Sequence, residues 1–127
     1  MIRILIVDDD DSIRQVVRLI LEDAGYIIYG EAEDGRKALT KLRASQHPLV
    51  VVTDDIMPTM SGLKMLEIVA ADPVLSTRHT YIMATPGSIK DAPVLRELHV
   101  PCLPMPFDMD DLLAVVKQAA TRLPSEN

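Results

Sequence analysis

The residues best equipped for chemistry in this 127-residue chain are two groups of carboxylates, each placed where an apolar run stops. "ILIVDDDD" sets Asp8, Asp9, Asp10 and Asp11 directly after residues 4–7, and "LVVVTDD" sets Asp54 and Asp55 just after residues 49–52. Acids at the mouth of a β-branched run need water or a positive partner. Several carboxylates sharing one crevice repel one another and partly protonate unless a cation sits among them. Oxygen ligands of this kind suit Mg2+, which takes a few carboxylates, a carbonyl and waters, and accepts phosphate as a further ligand. A metal-neutralised aspartate can also act as a nucleophile toward phosphorus, giving an acyl phosphate. Thr85, at the end of another apolar run, offers a hydroxyl to a phosphoryl oxygen. The plainer reading makes 8–11 a solvated helix cap, Asp54 an unrelated turn acid and Thr85 a β-branched strand end. The two readings part on one point: whether the acids meet in space.

The elements that must position them follow from periodicity. Residues 4–7 read as a strand buried on both faces. In "DSIRQVVRLILEDAG", Ile13, Val16, Val17, Ile20, Leu21 and Ala24 fall on one helical stripe, and Gly25 is placed to end it. "YIIYGEA" (26–32) is a second strand, and "DGRKALTKLRAS" a short helix burying Ala38, Leu39 and Leu42. Residues 49–53 make a third strand. Beyond the loop 58–62, Leu63, Leu66 and Val69 mark a helix that stops before Pro73. "TYIMAT" (80–85) is a fourth strand, followed by a helix carrying Ile89, Ala92, Leu95 and Leu98, with Pro93 early in it. "CLPM" (102–105) is a short fifth strand. Asp108, three residues before Asp111, opens a last helix with Leu112, Val115, Val116, Ala119 and Leu123 inward.

Five strands alternating with five helices predict an α/β fold: a parallel sheet covered on both faces and wound with right-handed crossovers. In such sheets ligands bind beyond the carboxyl ends of the strands. Those ends carry 8–11, Asp54 with Asp55, Thr85 and Met105, so the acids are expected to converge. The division is one domain over 1–123 and a polar tail, "PSEN", over 124–127.

Composition narrows the function classes. Hydrophobic residues make up 48% but aromatics only 3%, so the core must be aliphatic. A net charge of −6 argues against a nucleic-acid surface, which needs a basic face. The single cysteine, Cys102, can form no internal disulfide and reads as a small buried apolar residue. The first apolar run is ended by Asp8, too short for a signal peptide or a membrane span. A cytoplasmic location is the expectation.

"ILIVDDDDSIR", "VVVTDDIMPTMSG", "YIMAT" and "PMPF", in this order and spacing, resemble the receiver domain of two-component response regulators over about residues 3–122. The resemblance implies the flavodoxin-like strand order 2-1-3-4-5. It implies that Asp54, four residues before Pro58, accepts a phosphoryl group from a histidine kinase phosphohistidine. Asp8 and Asp9 match the acidic pair that holds Mg2+, Asp9 directly and Asp8 largely through water, with the backbone carbonyl of Ile56 as another ligand. Asp10 and Asp11 then cap the first helix, and Asp55 points away and only solvates the loop. Thr85 matches the hydroxyl residue that moves toward the phosphoryl group when the domain switches. Implied partners are a sensor histidine kinase or phosphotransfer protein. A downstream protein would bind the face made by the helix after the fourth strand, the fifth strand and the last helix. No nucleic acid or membrane is implied, and the chain would be a monomer or a phosphorylation-dependent homodimer. No output domain follows Leu123, so a stand-alone receiver is expected.

Three positions depart from the family pattern. Met105 stands where a lysine precedes the proline of the family's "KPF". Losing a unit charge about 4 Å from an acyl phosphate is of order several kcal/mol at an effective dielectric near 20, before solvent compensates. Cys102 replaces a frequent aromatic, and Ile56 places an apolar side chain two residues after Asp54. Lys90 is either a surrogate cation or a solvated lysine at a helix start. The alternative function is therefore a degenerate, phosphate-independent receiver acting as an interaction module. An enzyme reading also exists: Asp8 and Asp10 form the D-x-D of Mg2+-dependent haloacid dehalogenase-type phosphatases. It lacks a catalytic lysine and a late acidic pair other than Asp110 and Asp111. The chain is expected to be a phosphoacceptor signalling domain and not an enzyme.

Overall fold

The computed structural model describes residues 1–85 and 89–125, and for Thr85 the backbone alone. The chain forms β1 (Arg3–Val7), α1 (Asp11–Asp23), β2 (Ile27–Ala32), α2 (Gly35–Ala44), β3 (Leu49–Asp54), α3 (Gly62–Ala70), α4 (Pro73–Arg78), β4 (Thr80–Thr85), α5 (Pro93–Glu97), β5 (Cys102–Pro104) and α6 (Met109–Thr121). All pairings are parallel and the strand order is β2-β1-β3-β4-β5. This is the order the resemblance implied.

The strands are apolar throughout because helices cover both sheet faces. Side chains alternate between two cores. Leu5, Val7, Val51 and Met83 pack toward Leu39, Leu66 and Leu95 on one face. Ile4, Ile6, Val50, Val52 and Ile82 pack toward Val17, Leu21, Leu112 and Val116 on the other. With β1 between β2 and β3, the chain reverses its winding direction there, and the crevice at that reversal is where such sheets hold ligands.

Several local expectations are corrected. There are six helices among the described residues, not five. Pro73 does not merely stop a helix; it starts one. Asp72 accepts from the N–H groups of Val74 and Leu75 at 2.9 and 3.1 Å, and Pro73 fills the first helical position, where its missing N–H costs nothing. The helix expected around 89–98 is only Pro93–Glu97. Ala92 is extended (ψ 132°), as a residue before proline prefers, so Ile89 and Ala92 lie outside it. The stripe on α1 is narrower than its period suggested: Val17 and Leu21 are buried, Val16 is 55% exposed, and Ala24 caps the end. Gly25, at φ 97°, terminates α1 as expected. The fifth strand ends at Pro104, one residue before Met105.

Candidate functional site

Asp8 follows β1 and is 6% exposed. Its N–H donates to the carbonyl of Ala32 at 3.0 Å, which extends the β1–β2 pairing by one residue. Its Oδ1 accepts the N–H of Asp10 at 2.9 Å and closes a tight turn. Asp9 projects from the tip of that turn and is exposed. Asp10 caps α1, its Oδ1 accepting from Ser12 and Ile13 at 2.8 and 3.2 Å. That carboxylate is committed to the helix, which leaves the D-x-D phosphatase reading without its second acid.

Asp54 is the last residue of β3, in register with Ala84 of β4 and half-buried. Its Oδ1 accepts the N–H of Asp55 at 2.8 Å. Carboxylate oxygens of Asp8, Asp9 and Asp54 all lie within 4.8 Å of one another. The acids therefore meet, and the first reading of the sequence holds on this point.

The site is electrostatically frustrated. Burial pushes the Asp8 carboxyl up to about 6, against the lowering effect of the Asp10 N–H, and repulsion from Asp54, Asp9 and Asp10 adds to the rise. Asp54 is raised for the same first reason, burial, opposed by the Asp55 N–H and reinforced by Asp9 and Asp55. Among the described residues no lysine or arginine is ion-paired to any of the three. Three converging hard oxygen donors with no internal cation fit a divalent ion such as Mg2+. The carbonyl of Ile56 enters no hydrogen bond among the described residues, so it remains free to serve as a ligand; the residue is 74% exposed.

The loop after β3 is built more tightly than its sequence suggested. Asp55 does not simply face solvent: its Oδ1 accepts the N–H of Leu63 at 2.9 Å, and its carbonyl accepts that of Gly62 at 2.9 Å. A Cβ on Gly62 would lie 2.1 Å from the carbonyl oxygen of Asp54, so only glycine lets α3 begin there. Thr59 sits at φ 66°, a conformation a β-branched residue adopts only when its surroundings force it. Sequence patterning missed Asp55 and Gly62. The "SG" before an apolar run was the available signal.

Met105 is half-buried and lines a small gap with Asp8, Asp54, Ala84 and Phe107, so a thioether stands beside the carboxylates. The Met105–Pro106 bond is cis. Cys102 is half-buried, in register with Met83, and its thiol is raised by burial and then by Asp91. Lys90 is exposed. Thr85 ends β4 opposite Pro104; the hydroxyl role expected of it lies outside the described residues. Asp110 and Asp111 are exposed on the first turn of α6, outside the acid cluster.

The profile of the response regulator receiver domain family matches residues 4–117. The chain belongs to that family. This receiver is 31% identical over 121 residues to the chemotaxis protein CheY of Listeria monocytogenes, a match covering 94% of this chain and 99% of that protein. Among solved structures it is similar to the chemotaxis response regulator CheY4 of Vibrio cholerae, at 30% identity and a TM-score of 0.79, over 94% of this chain and 98% of the other. It is likewise similar to the response regulator TrrA of Thermotoga maritima in complex with Mg(2+)-BeF, at 28% identity and a TM-score of 0.80, over 94% and 99% of the two chains. It is thus a receiver of two-component signalling, a class of signalling domains that interact with histidine kinases or phosphotransfer proteins and with downstream partners. No helix among the described residues is long and apolar enough to cross a membrane.

Proposed function

We propose that this receiver, spanning residues 1–123 with 124–127 as a tail, accepts a phosphoryl group on Asp54 from a phosphohistidine of a sensor kinase or phosphotransfer protein. The observation that carries the reading is the approach of the Asp8, Asp9 and Asp54 carboxylate oxygens to within 4.8 Å of one another. An oxygen of Asp54 attacks phosphorus as the P–N bond to the imidazole breaks, and the electron pair of that bond returns to the ring. Asp9, Asp54 and the Ile56 carbonyl would hold Mg2+ directly, and Asp8 would act mainly through water. When bound, Mg2+ offsets the negative charge on the phosphoryl oxygens. That the similar TrrA receiver is in complex with Mg(2+)-BeF supports Mg2+ as the ion of this reading. Thr85 donates its hydroxyl to a phosphoryl oxygen, and the change passes to a cytoplasmic partner across the face of α5, β5 and α6.

A second reading is favoured by Met105. A thioether supplies neither a positive charge nor a hydrogen-bond donor beside Asp54. On this reading the acid cluster persists while the chain works by binding partners, independently of phosphate.

Incubation with acetyl phosphate and Mg2+, followed by intact-mass measurement, separates the two. The first reading expects one phosphoryl group gained by the wild type, and none by Asp54→Asn or in the presence of chelator. No gain by the wild type, with a gain by Met105→Lys, supports the second reading and overturns the first.

A further inference from the structure

Arg14 lies on α1, one turn beyond the acidic run, and is the arginine nearest to it. Its side chain is only 14% exposed and all three of its nitrogens are engaged. Nη1 donates to the backbone carbonyl of Asp8, Nη2 donates to the Asp11 carboxylate, and Nε donates to Oε1 of Glu31 at 3.1 Å. Glu31 is itself held from the other side, its Oε2 lying 3.2 Å from Nε of Arg18. The guanidinium therefore touches the acid turn through a peptide group, and its charge is taken up by carboxylates outside the cluster.

We propose that Arg14 is a positioning residue for the divalent-ion site, fixing the Asp8–Asp9 peptide so that the Asp9 carboxylate faces Asp8 and Asp54. The inference rests on the reading of these acids as an Mg2+ site.

The geometry requires some such device. The Asp8 N–H is tied to Ala32 on β2 and the Asp8 Oδ1 to the Asp10 N–H, but Asp9 is exposed and has no hydrogen bond of its own among the described residues. The direction in which Asp9 leaves the backbone then depends on the peptide plane that precedes it, which turns about one soft dihedral on either side, ψ of Asp8 and φ of Asp9. Arg14 pins that plane by its carbonyl end. The planar fork of a guanidinium can reach one carbonyl and two carboxylates at fixed angles; an ammonium cannot reproduce this. Asp11 and Glu31 matter as much as Arg14. An arginine without these anchors, this close to three repelling carboxylates, folds onto them and competes with the ion. Anchored, it orients Asp9 without neutralising it. Since Glu31 is in register with Ile6 and Ala32 with Val7, the edge strand β2 is the fixed frame against which the turn is set.

The test is Mg2+ binding by isothermal titration calorimetry on the wild type, Arg14→Gln, Arg14→Lys and Glu31→Gln, with thermal melts in EDTA for each. The proposal expects Mg2+ affinity to fall by about tenfold in Arg14→Gln and by a smaller factor in Arg14→Lys. Glu31→Gln is also expected to weaken binding, because the freed guanidinium then turns toward Asp9. These losses are expected to exceed what any change in the ion-free melting temperature accounts for. Variants that melt lower but bind Mg2+ within twofold of wild type overturn the positioning role and leave the metal reading intact. A wild type that binds no Mg2+ overturns both.

Discussion

At the scale of single residues, two buried groups set opposing pH dependences. Asp8 has a folded pKa of about 6, above its ordinary 3.8, because burial disfavours its charge. The fold therefore prefers the protonated acid: this contribution is fully present below about 3.8 and is lost as pH rises through 6. About two pKa units at about 1.4 kcal/mol each put the penalty on the ion-free protein at pH 7 at up to about 3 kcal/mol. Asp8→Asn is expected to be more stable than wild type by up to that amount in EDTA at pH 7, read by urea unfolding, with the difference vanishing near pH 4. A variant less stable than wild type at pH 7 contradicts this account of the turn. His79 works the other way. It is 3% exposed, its Nδ1 accepts the N–H of Leu49 at 3.0 Å, and burial lowers its pKa from 6.5 to about 4. The neutral ring stabilises the fold fully above pH 6.5, and about 1.4 kcal/mol per pH unit is lost as pH falls toward 4. In the ion-free wild type the Asp8 and His79 slopes oppose each other between pH 4 and 6, and the raised Asp54 carboxyl adds to the loss of stability as pH rises. The expected signature is a stability profile whose slope with pH over that window is more positive in Asp8→Asn than in wild type.

At the scale of elements, the site depends on how closely α3 approaches the end of β3. Gly62→Ala forces its methyl group against the Asp54 carbonyl, which lies 2.1 Å from an ideal Cβ. The expected cost is about 2–3 kcal/mol by thermal unfolding, together with weaker Mg2+ binding, because the displaced backbone carries Asp54. Thr59 makes the opposite case. A β-branched residue at φ 66° stores about 1–2 kcal/mol that glycine does not, so Thr59→Gly is expected to raise stability by about 1 kcal/mol. A lower melting temperature for Thr59→Gly contradicts this. Asp55, which links the end of β3 to the start of α3, explains why the loop 55–61 holds such a conformation at all.

At the scale of the whole molecule, much was legible in the sequence because its strongest signals are long. Continuous apolar runs at 4–7 and 49–52, short and ended abruptly by acids, read as strands covered on both faces, and that implies a parallel sheet whose strand ends carry the acids. What the sequence hid was local and cooperative. Asp72–Pro73 reads equally as a helix stop and as a cap with proline in the first turn; only Leu75, buried at 1% exposure, decides it. Val16 shares the period of the α1 core stripe, yet it is 55% exposed while Val17 and Leu21 are buried. The second role of Asp55 and the anchoring of Arg14 depend on residues from other elements that no local pattern brings together. The order 2-1-3-4-5 came from family resemblance, because periodicity cannot rank strands.

Mg2+ binding ties these scales together. At a hundredfold excess over its Kd the ion is expected to stabilise the wild type by about 2.7 kcal/mol, with no gain in Asp54→Asn if that carboxylate is indispensable. Chemical trapping shows which of Asp54 and the five aspartates around it, Asp8, Asp9, Asp10, Asp11 and Asp55, takes the phosphoryl group. Borohydride reduces an aspartyl phosphate to homoserine, and peptide sequencing by mass spectrometry then locates it after treatment with acetyl phosphate. The account predicts homoserine at position 54 alone, and only when Mg2+ is present. Homoserine at position 9 or 55, or none at all in the wild type, contradicts it.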